Sequence, residues 1–276
     1  MSITATIDGI TVTVEAGTTI LEAMRTVERD VPTLCFGPTL DAANVCRVCM
    51  VEVDGSGTLV PSCSRPIEEG MVVSTSSERA VHSRRVVLEL LASASELDRT
   101  DDVAEWMADH GADPDRFTGV GVHDQPAKVQ DDLYVRDYAR CILCYRCVDA
   151  CGEQHQNTFA ITVAGRGFDA HISTEFDVAL PDSACVYCGN CIAVCPTGAL
   201  EGKLAWEMKE AGAWAPDRQE VTRTVCSYCG VGCNLDVRTQ DGAIVDVASP
   251  MDHDVTLGNL CIKGRFGWSF VVARDD

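Results

Sequence analysis

The sequence predicts an α+β protein divided into several small modules, each built around metal-binding cysteines. Two observations predict this class. Sixteen cysteines in 276 residues fall into four complete sets of four, and the strand and helix patterns differ from one set to the next. Thiolates at such spacings bind soft, redox-active metal, and clusters spaced along one chain can pass electrons. In chain order the sets are Cys35, Cys46, Cys49, Cys63; Cys141, Cys144, Cys147, Cys151; Cys185, Cys188, Cys191, Cys195; and Cys226, Cys229, Cys233, Cys261.

Composition and charge narrow the range of cellular compartments and binding partners that are expected for this chain. Many cysteines can mean a secreted protein held by disulfides, but the start, MSITATIDGITV, lacks the basic and apolar regions of a signal peptide. No apolar run approaches the ~18 residues that a membrane span needs. We therefore expect a soluble, cytoplasmic protein without a membrane partner. The formal net charge of −20 repels phosphate backbones and argues against nucleic acid as a partner.

Residues 1–78 are predicted to form a β-grasp domain. Residues 3–14 alternate apolar and polar side chains around an Asp-Gly turn, which indicates a β-hairpin. An amphipathic helix is expected over residues 18–29, with Thr18 or Thr19 as its N-cap. Further strands are expected at residues 50–53, 58–60 and 71–74. Two strands, a helix and more strands around a cysteine loop is the element order of a β-grasp ferredoxin.

The rest of the chain is predicted to alternate linkers with cysteine modules. The predicted segments are a helical, acidic linker at 79–132, a ferredoxin-like domain at 133–205, a second linker at 206–220 and a small β-rich domain at 221–276. Helices are expected at residues 77–91 and 103–110. Hairpins are expected to pair 159–163 with 170–173, and 235–238 with 244–247.

The two central runs share the spacing C-x2-C-x2-C-x3-C, and the second ends in Cys195-Pro196. In two-cluster ferredoxins the fourth cysteine of each run ligates the other cluster. Structural zinc is the alternative, but it normally uses two separated pairs of ligands. We number the predicted sites along the chain, and the two central runs predict [4Fe–4S] clusters at sites 2 and 3. Site 1 is Cys35, Cys46, Cys49, Cys63; site 2 is Cys141, Cys144, Cys147, Cys195; site 3 is Cys185, Cys188, Cys191, Cys151; site 4 is Cys226, Cys229, Cys233, Cys261.

The surroundings of sites 1 and 4 resemble known iron–sulfur proteins. CRVCMVEVDG followed by VPSC resembles the [2Fe–2S] domain of the complex I large iron–sulfur subunit, with Asn44 where many relatives carry glycine. Asparagine also tolerates a left-handed backbone. CSYCGVGCNLDV and LCIKGRFG resemble the segment that opens the catalytic subunit of molybdopterin formate dehydrogenases. In that family a lysine lies between the cluster and the pterin, and Lys263 matches it. The alternative role for Lys263 is an ordinary surface charge. Zinc is the alternative metal at both sites.

The whole chain resembles the N-terminal half of the NAD-linked formate dehydrogenase α-subunit. YARCILCYRCVDAC, TFAITVAGRGFDA and CVYCGNCIAVCPTGAL carry the likeness. The resemblance implies one [2Fe–2S] and three [4Fe–4S] clusters here, with a molybdopterin-metal cofactor and FMN and NAD on partner subunits. LLASASELDRTDD lacks the cysteines of an additional family cluster, and His82 nearby is expected on a helix surface. The chain stops 15 residues after Cys261, so the pterin-binding body is expected on another polypeptide.

Three functions are compatible with these features. The first is an electron-transfer subunit of a molybdenum or tungsten formate dehydrogenase, between a catalytic molybdopterin subunit and a flavin- and NAD-binding subunit. The second is the iron–sulfur subunit of a NAD-linked hydrogenase or a complex I-like dehydrogenase. The third is a non-catalytic module, either a zinc scaffold or an iron–sulfur sensor. No catalytic residue is expected on this chain, and residues 266–272 are expected to be covered by the catalytic partner.

Overall fold

The computed structural model describes residues 1–117 and 125–272. These residues fall into two compact units. The first unit holds the described residues up to 117 except Pro38–Leu40, and the second holds Pro38–Leu40 together with residues 125–272. None of the described helices is both long and apolar enough to cross a membrane.

The first unit contains a five-stranded mixed sheet. Its strands are β1 (Ser2–Ile7), β2 (Ile10–Glu15), β3 (Met50–Val53), β4 (Val60–Pro61) and β5 (Val72–Ser74). Their order in the sheet is β2-β1-β5-β3-β4. Only β1 and β5 pair in parallel, and the other three pairings are antiparallel. The predicted strands are therefore present, with β4 displaced toward Pro61.

Helix α1 (Ile20–Arg25) packs on this sheet and begins at a capping box. The Thr19 hydroxyl accepts from the Glu22 amide at 3.2 Å, and the Glu22 carboxylate accepts from the Thr19 amide at 2.8 Å. These bonds satisfy amides that a helix start leaves free. Ile20, a buried core residue, contributes about 1.5–3 kcal/mol by burial. The helix ends earlier than the predicted residue 29, since Glu28 has a left-handed backbone (φ 56°).

Two helices, α2 (Glu78–Ala94) and α3 (Asp101–Asp109), complete the first unit. Buried Arg84 ties α2 to the sheet by donating to the carbonyls of Met50 at 2.8 Å and Thr75 at 2.6 Å. Buried Glu89, also on α2, accepts from Arg116 at 2.7 Å. His82 is exposed and lies 3.0 Å from an Arg85 nitrogen, so the prediction of a helix-surface histidine is confirmed.

The second unit begins with two small sheets and short helices. Its elements are β6 (Tyr134–Arg136), α4 (Arg146–Cys151), β7 (Thr162–Ala164), β8 (His171–Ser173), α5 (Asn190–Ala193), β9 (Leu200–Gly202) and α6 (Lys203–Glu210). β6 pairs with β9, and β7 forms the predicted hairpin with β8. The first strand of that hairpin starts at Thr162 rather than at residue 159. α4 and α5 each include the third cysteine of a central run.

The C-terminal part contains an antiparallel sheet and two short helices. These are β10 (Gln219–Val225), β11 (Asn234–Gln240), β12 (Ala243–Ala248), α7 (Ile262–Phe266) and α8 (Ser269–Val272). Asp241 (φ 52°) and Gly242 (φ 84°) form the β11–β12 turn, where positive φ values match the twist of a hairpin. The segment 206–220 is more structured than the predicted linker, because α6 fills its first part.

Candidate metal centres

The central cysteines surround two cavities. One cavity, with about 460 Å³ of empty space, is lined by Cys151, Cys185, Cys188 and Cys191, the four cysteines of site 3. The other, with about 350 Å³, is lined by Cys141, Cys144, Cys147 and Cys195, the four of site 2. All sixteen cysteines lie in the described part of the chain and are free. The fold thus brings together the crossed sets that the sequence predicts.

Helix geometry accounts for the crossing. Cys147 and Cys151 both lie on α4 and are four residues apart, so they are displaced by about 6 Å along the helix axis. The preceding loop and the start of α4 gather Cys141, Cys144 and Cys147 around the site 2 cavity. Cys151, one turn later, lines the site 3 cavity, where its Sγ accepts from the Ala160 amide at 3.2 Å.

The two cysteine runs repeat the same loop geometry. Leu143 (φ 52°) and Tyr187 (φ 55°) occupy equivalent left-handed positions. The Leu143 amide donates to Cys141 Sγ, and the Tyr187 amide donates to Cys185 Sγ, both at 3.4 Å. Amide donors favour the thiolate form of sulfur. In a cluster, hydrogen bonds to sulfur are among the factors that set the reduction potential.

Burial controls the protonation of these cysteines. It raises the pKa of Cys141 to about 11 and that of Cys144 to about 12. Burial and the neighbouring thiolates raise the pKa of Cys147 well above its usual range, and burial also raises the pKa of Cys191. Without metal these thiols hold their protons, so metal binding must displace protons.

Site 1 is more compact, because its thiols contact one another. Hydrogen bonds from Cys46 and Cys63 lower the pKa of Cys35 to about 2, and a hydrogen bond from Cys63 lowers the pKa of Cys49 to about 6. The same contacts raise the pKa values of Cys46 and Cys63. Asn44 has the left-handed backbone that the sequence suggested (φ 56°).

Site 4 lies at the surface of the second unit. Cys226 is buried and its amide donates to the Cys233 carbonyl at 2.7 Å, whereas Cys229 and Cys261 are exposed. Repulsion among the four thiolates contributes to a raised pKa of Cys233, after burial. Lys263 is exposed on α7, two residues after Cys261. The four predicted cysteines are therefore neighbours, and two of them are exposed.

The donors at all four sites are cysteine thiols, the ligands that iron–sulfur clusters use. Within the described ranges, no three His, Cys, Asp or Glu side chains converge on a position for one metal ion. Tyr134 lines the site 3 cavity, and its buried hydroxyl has no hydrogen-bond partner in residues 1–117 and 125–272. Buried hydroxyls normally have a partner, so this donor fits a sulfur-rich group in the cavity.

The C-terminal helix α7 connects site 4 to site 3, which the sequence did not predict. Buried Arg265 on α7 donates from Nε to the Cys188 carbonyl at 3.0 Å. The Leu260 amide donates to the buried Asn190 side chain at 3.1 Å. One sequence feature points to this contact: the second run has Gly189 where the first run has Tyr145. A Cβ at Gly189 would lie 2.0 Å from Arg265 Cδ.

Phe266, the first residue of the segment 266–272, is partly buried by its own chain. Its ring packs inside the second unit, with its centroid 5.4 Å from that of Tyr134. The reason is that α7 lies on the ferredoxin-like part of this chain. Phe270 (61% exposed) and Val271 (52% exposed) are on the surface.

Three family models match successive parts of the chain. Residues 1–78 match a 2Fe-2S iron–sulfur cluster binding domain. Residues 132–201 match the ferredoxin-like domain of NADH-quinone oxidoreductase subunit 3. Residues 219–273 match the molybdopterin oxidoreductase Fe4S4 domain. The iron–sulfur domains of this chain fit the complex I-related subunit family.

The curated relatives that this chain matches are much longer than it is. NADP-reducing hydrogenase subunit HndD of Solidesulfovibrio fructosivorans is 38% identical over 80% of this chain and 40% of its own length. An NADH-quinone oxidoreductase subunit of Rhizobium meliloti is 33% identical over 99% of this chain and 32% of its own length. A Staphylococcus haemolyticus protein, provisionally named a formate dehydrogenase, is 27% identical over 96% of this chain and 31% of its own length. The chain spans about a third of such relatives.

Among solved structures, an NAD+-reducing [NiFe]-hydrogenase in the H2-reduced state matches with a TM-score of 0.63 and 27% identity. The match covers 74% of this chain and 88% of the hydrogenase chain. This likeness supports a mixed α/β iron–sulfur protein with a 2Fe-2S domain and a ferredoxin-like 4Fe-4S domain.

Proposed function

We propose that this chain is the electron-transfer iron–sulfur subunit of a molybdenum or tungsten formate dehydrogenase complex. The match of residues 219–273 to the molybdopterin oxidoreductase Fe4S4 domain carries this proposal. In one chain, this domain follows a [2Fe–2S] domain and a ferredoxin-like domain. A row of clusters that ends in such a domain is suited to exchange electrons with a pterin-bound metal.

We further propose one [2Fe–2S] cluster at site 1 and [4Fe–4S] clusters at sites 2, 3 and 4. The cavities lined by the crossed cysteine sets support sites 2 and 3. The mutual thiol contacts support site 1, and the four neighbouring cysteines support site 4. The proposed boundaries are a β-grasp domain at 1–78, linkers at 79–132 and 206–220, and cluster domains at 133–205 and 221–276.

Electrons are proposed to enter at site 4, pass sites 3 and 2, and leave through site 1. The exposure of Cys229 and Cys261 supports site 4 as the entry, since a surface cluster can approach a donor on another subunit. Lys263 is exposed beside Cys261 and would lie between cluster and pterin. The contacts of Arg265 on α7 with Cys188, and of Leu260 before α7 with Asn190, support direct exchange between sites 4 and 3.

The proposed partners are a catalytic molybdopterin subunit and a subunit that binds flavin and NAD. No residue of this chain is proposed to act on formate. The relatives named for NAD(P)-linked enzymes support the second partner. We place the complex in the cytoplasm, where thiols remain reduced.

A NAD-linked hydrogenase or complex I-like dehydrogenase is the second candidate. The 38% identity to HndD and the structural match to the NAD+-reducing hydrogenase favour it. However, those two matches leave about a fifth and a quarter of this chain uncovered. The Rhizobium relative and the Staphylococcus relative match over 99% and 96% of it.

Purification of the native complex distinguishes these functions. We expect a tag on this chain to recover a complex that contains molybdenum or tungsten and reduces NAD+ with formate. A complex that lacks both metals and pterin, or that reduces NAD+ with hydrogen but not with formate, contradicts the formate proposal. A complex that oxidises NADH without either substrate indicates the complex I-like alternative.

A further inference from the structure

Two buried tyrosines precede the first central cysteine run, and each lines one of the two central cavities. The chain has five tyrosines, and two of them, Tyr134 on β6 and Tyr138 four residues later, are each only 2% exposed. Tyr134 lines the site 3 cavity, and Tyr138 lines the site 2 cavity. Each central site therefore has one buried tyrosine in its wall.

Both tyrosine hydroxyls are donors without an acceptor. Within residues 1–117 and 125–272, neither hydroxyl has a hydrogen-bond partner, although buried hydroxyls normally have one. Arg136, which is also buried, lies beside Tyr138, but a guanidinium can only donate a hydrogen bond. The protons of both hydroxyls therefore remain without an acceptor among the described residues.

The packing of the two rings holds these hydroxyls in place. The Tyr134 ring packs against the rings of Tyr187 and Phe266, with each pair of centroids 5.4 Å apart. The Arg136 guanidinium lies 5.9 Å from the centroid of the Tyr138 ring. Neither ring can turn its hydroxyl toward solvent without losing this packing.

Each hydroxyl is close to the thiols of its own site. Burial raises the pKa of Tyr134, and repulsion from the Cys191 thiolate of site 3 raises it further. Burial also raises the pKa of Tyr138, where the Arg136 charge opposes the rise and the Cys147 thiolate of site 2 adds to it. Both hydroxyls therefore keep their protons, and the charge of the cysteines in the same cavity acts on each of them.

We propose that each hydroxyl donates a hydrogen bond to the cluster in its own cavity, Tyr134 at site 3 and Tyr138 at site 2. The sulfur atoms of a cluster are the acceptors that these donors lack. Reduction adds one electron to a cluster, so a hydrogen-bond donor stabilises the reduced form and raises the reduction potential. Because both sites have the same donor, the passage of an electron from site 3 to site 2 is not opposed. This inference rests on the cluster ligation proposed above.

Potentiometric EPR titration of the holo-chain tests the proposal with Tyr134→Phe and Tyr138→Phe. Each substitution removes one oxygen and leaves the ring in place. At a fixed applied potential we expect Tyr134→Phe to lower the ratio of reduced to oxidised site 3 cluster by roughly three- to tenfold, without a change at site 2. Tyr138→Phe should have the same effect on site 2 alone. Tenfold corresponds to about 59 mV for one electron.

Pulsed EPR after exchange into deuterated water provides a second readout. In the wild-type chain, the reduced clusters of sites 2 and 3 should each couple to one deuteron that the phenylalanine variant of that site lacks. A role in packing alone would not change this coupling. Tyr228→Phe is the matched control, because the Tyr228 hydroxyl already donates to the Gly267 carbonyl. It should change neither the potentials nor the deuteron couplings of sites 2 and 3.

Iron and sulfide content separates failure of this inference from failure of the proposed ligation. Full iron content with unchanged potentials in both phenylalanine variants overturns the inference and leaves the ligation intact. A shift at the opposite site, or identical deuteron couplings in the wild type and the variants, also overturns it. A wild-type chain that lacks [4Fe–4S] signals overturns the ligation itself. If one variant loses iron, the other variant decides the outcome.

Discussion

Cys151 and Cys195 are the residues that distinguish crossed from uncrossed ligation. Each ends its own cysteine run, yet each lines the cavity of the other run. The physical cause for Cys151 is its position one helical turn beyond Cys147 on α4. Side chains one turn apart on a short helix can thus serve two neighbouring sites.

We expect Cys151→Ser to remove the site 3 cluster, although Cys151 is adjacent in sequence to the site 2 cysteines. Iron should fall from about fourteen to about ten per chain, since one [4Fe–4S] cluster is lost. Cys195→Ser should remove the site 2 cluster instead. Iron analysis with EPR checks both variants. Loss of the site 2 signal in Cys151→Ser contradicts crossed ligation.

The thiol pKa values predict how acid affects the clusters. Burial holds the pKa of Cys141 near 11 and that of Cys144 near 12, so protons compete strongly with iron at site 2. Below these pKa values the thiolate fraction falls tenfold per pH unit, and iron release is favoured as pH falls. At site 1, hydrogen bonds between thiols lower the pKa values of Cys35 and Cys49 to about 2 and about 6 but raise those of Cys46 and Cys63, so protons compete with iron there as well.

We therefore expect a chelator to remove iron from the holo-chain faster at about pH 6 than at about pH 8. The [4Fe–4S] signals and the [2Fe–2S] signal should both be lost faster at the lower pH. Time-resolved EPR in the presence of chelator measures these rates. Equal rates of iron loss at the two pH values disagree with the assigned pKa shifts.

At the scale of elements, helix α2 is fixed to the first unit by one buried arginine. Arg84 donates to backbone carbonyls on or beside β3 and β5. We expect Arg84→Met to lower the free energy of unfolding of the first unit by about 2–3 kcal/mol, because two charge-assisted bonds are lost and carbonyls stay buried. Adjacent Arg85→Met, on the more exposed side, should cost less than about 0.5 kcal/mol. Denaturant titration compares the two, and equal losses refute this role.

The packing of helix α7 on the second cysteine run depends on Gly189. Gly189 has a φ of 72°, and a Cβ there would overlap the Arg265 side chain. Gly189→Ala should therefore lower the melting temperature and reduce site 3 iron. Gly167→Ala is the matched control, because Gly167 also has positive φ (58°) but has no atom within 4 Å of the Cβ position. Backbone strain alone costs about 1–2 kcal/mol at either position. If both variants lose melting temperature and site 3 iron to a similar extent, packing of α7 against the loop that contains Gly189 is contradicted.

Elements with local sequence signals were predictable, whereas long-range pairings were not. The Asp8-Gly9 turn, the Thr19 cap and strand β3 follow from local patterns, and the structure contains all three. β6 and β9 are only three residues each and pair across most of the ferredoxin-like domain, so neither leaves a periodic pattern. Helix α6 lies in a segment whose polarity favoured a linker.

The candidate sites divide in the same way. Cysteine spacing predicted which four thiols would meet, because ligand runs are local and the crossing follows a known rule. Tyr134 and Arg265 were missed, since nothing local relates a tyrosine on β6 or an arginine on α7 to Cys188. Only the difference between Tyr145 in the first run and Gly189 in the second indicated that another part of the chain contacts the second run.

At the scale of the whole molecule, the two units depend on metal to different degrees. The first unit has a core that includes Ile7, Ile20, Leu21, Met24 and Val51 besides two cysteines. In the second unit the main core cluster has cysteines of sites 2 and 3 packed through it. Metal binding can supply folding free energy where apolar burial is limited.

Removal of iron should therefore unfold the second unit while the sheet of the first unit persists. Hydrogen exchange of the chain after anaerobic chelation checks this. We expect protection to be lost at β6, α4, α5 and β9, and to be retained at β1 and β2. Retained protection throughout residues 125–272 is inconsistent with a metal-dependent core.

The central claim is that this chain holds four iron–sulfur clusters arranged for electron transfer. Anaerobic EPR with Mössbauer spectroscopy and iron analysis of the intact holo-chain tests it most directly. The account predicts about fourteen irons per chain, one reducible [2Fe–2S] signal and three reducible [4Fe–4S] signals. Stoichiometric zinc, or an iron-loaded chain without reducible paramagnetic centres, contradicts it.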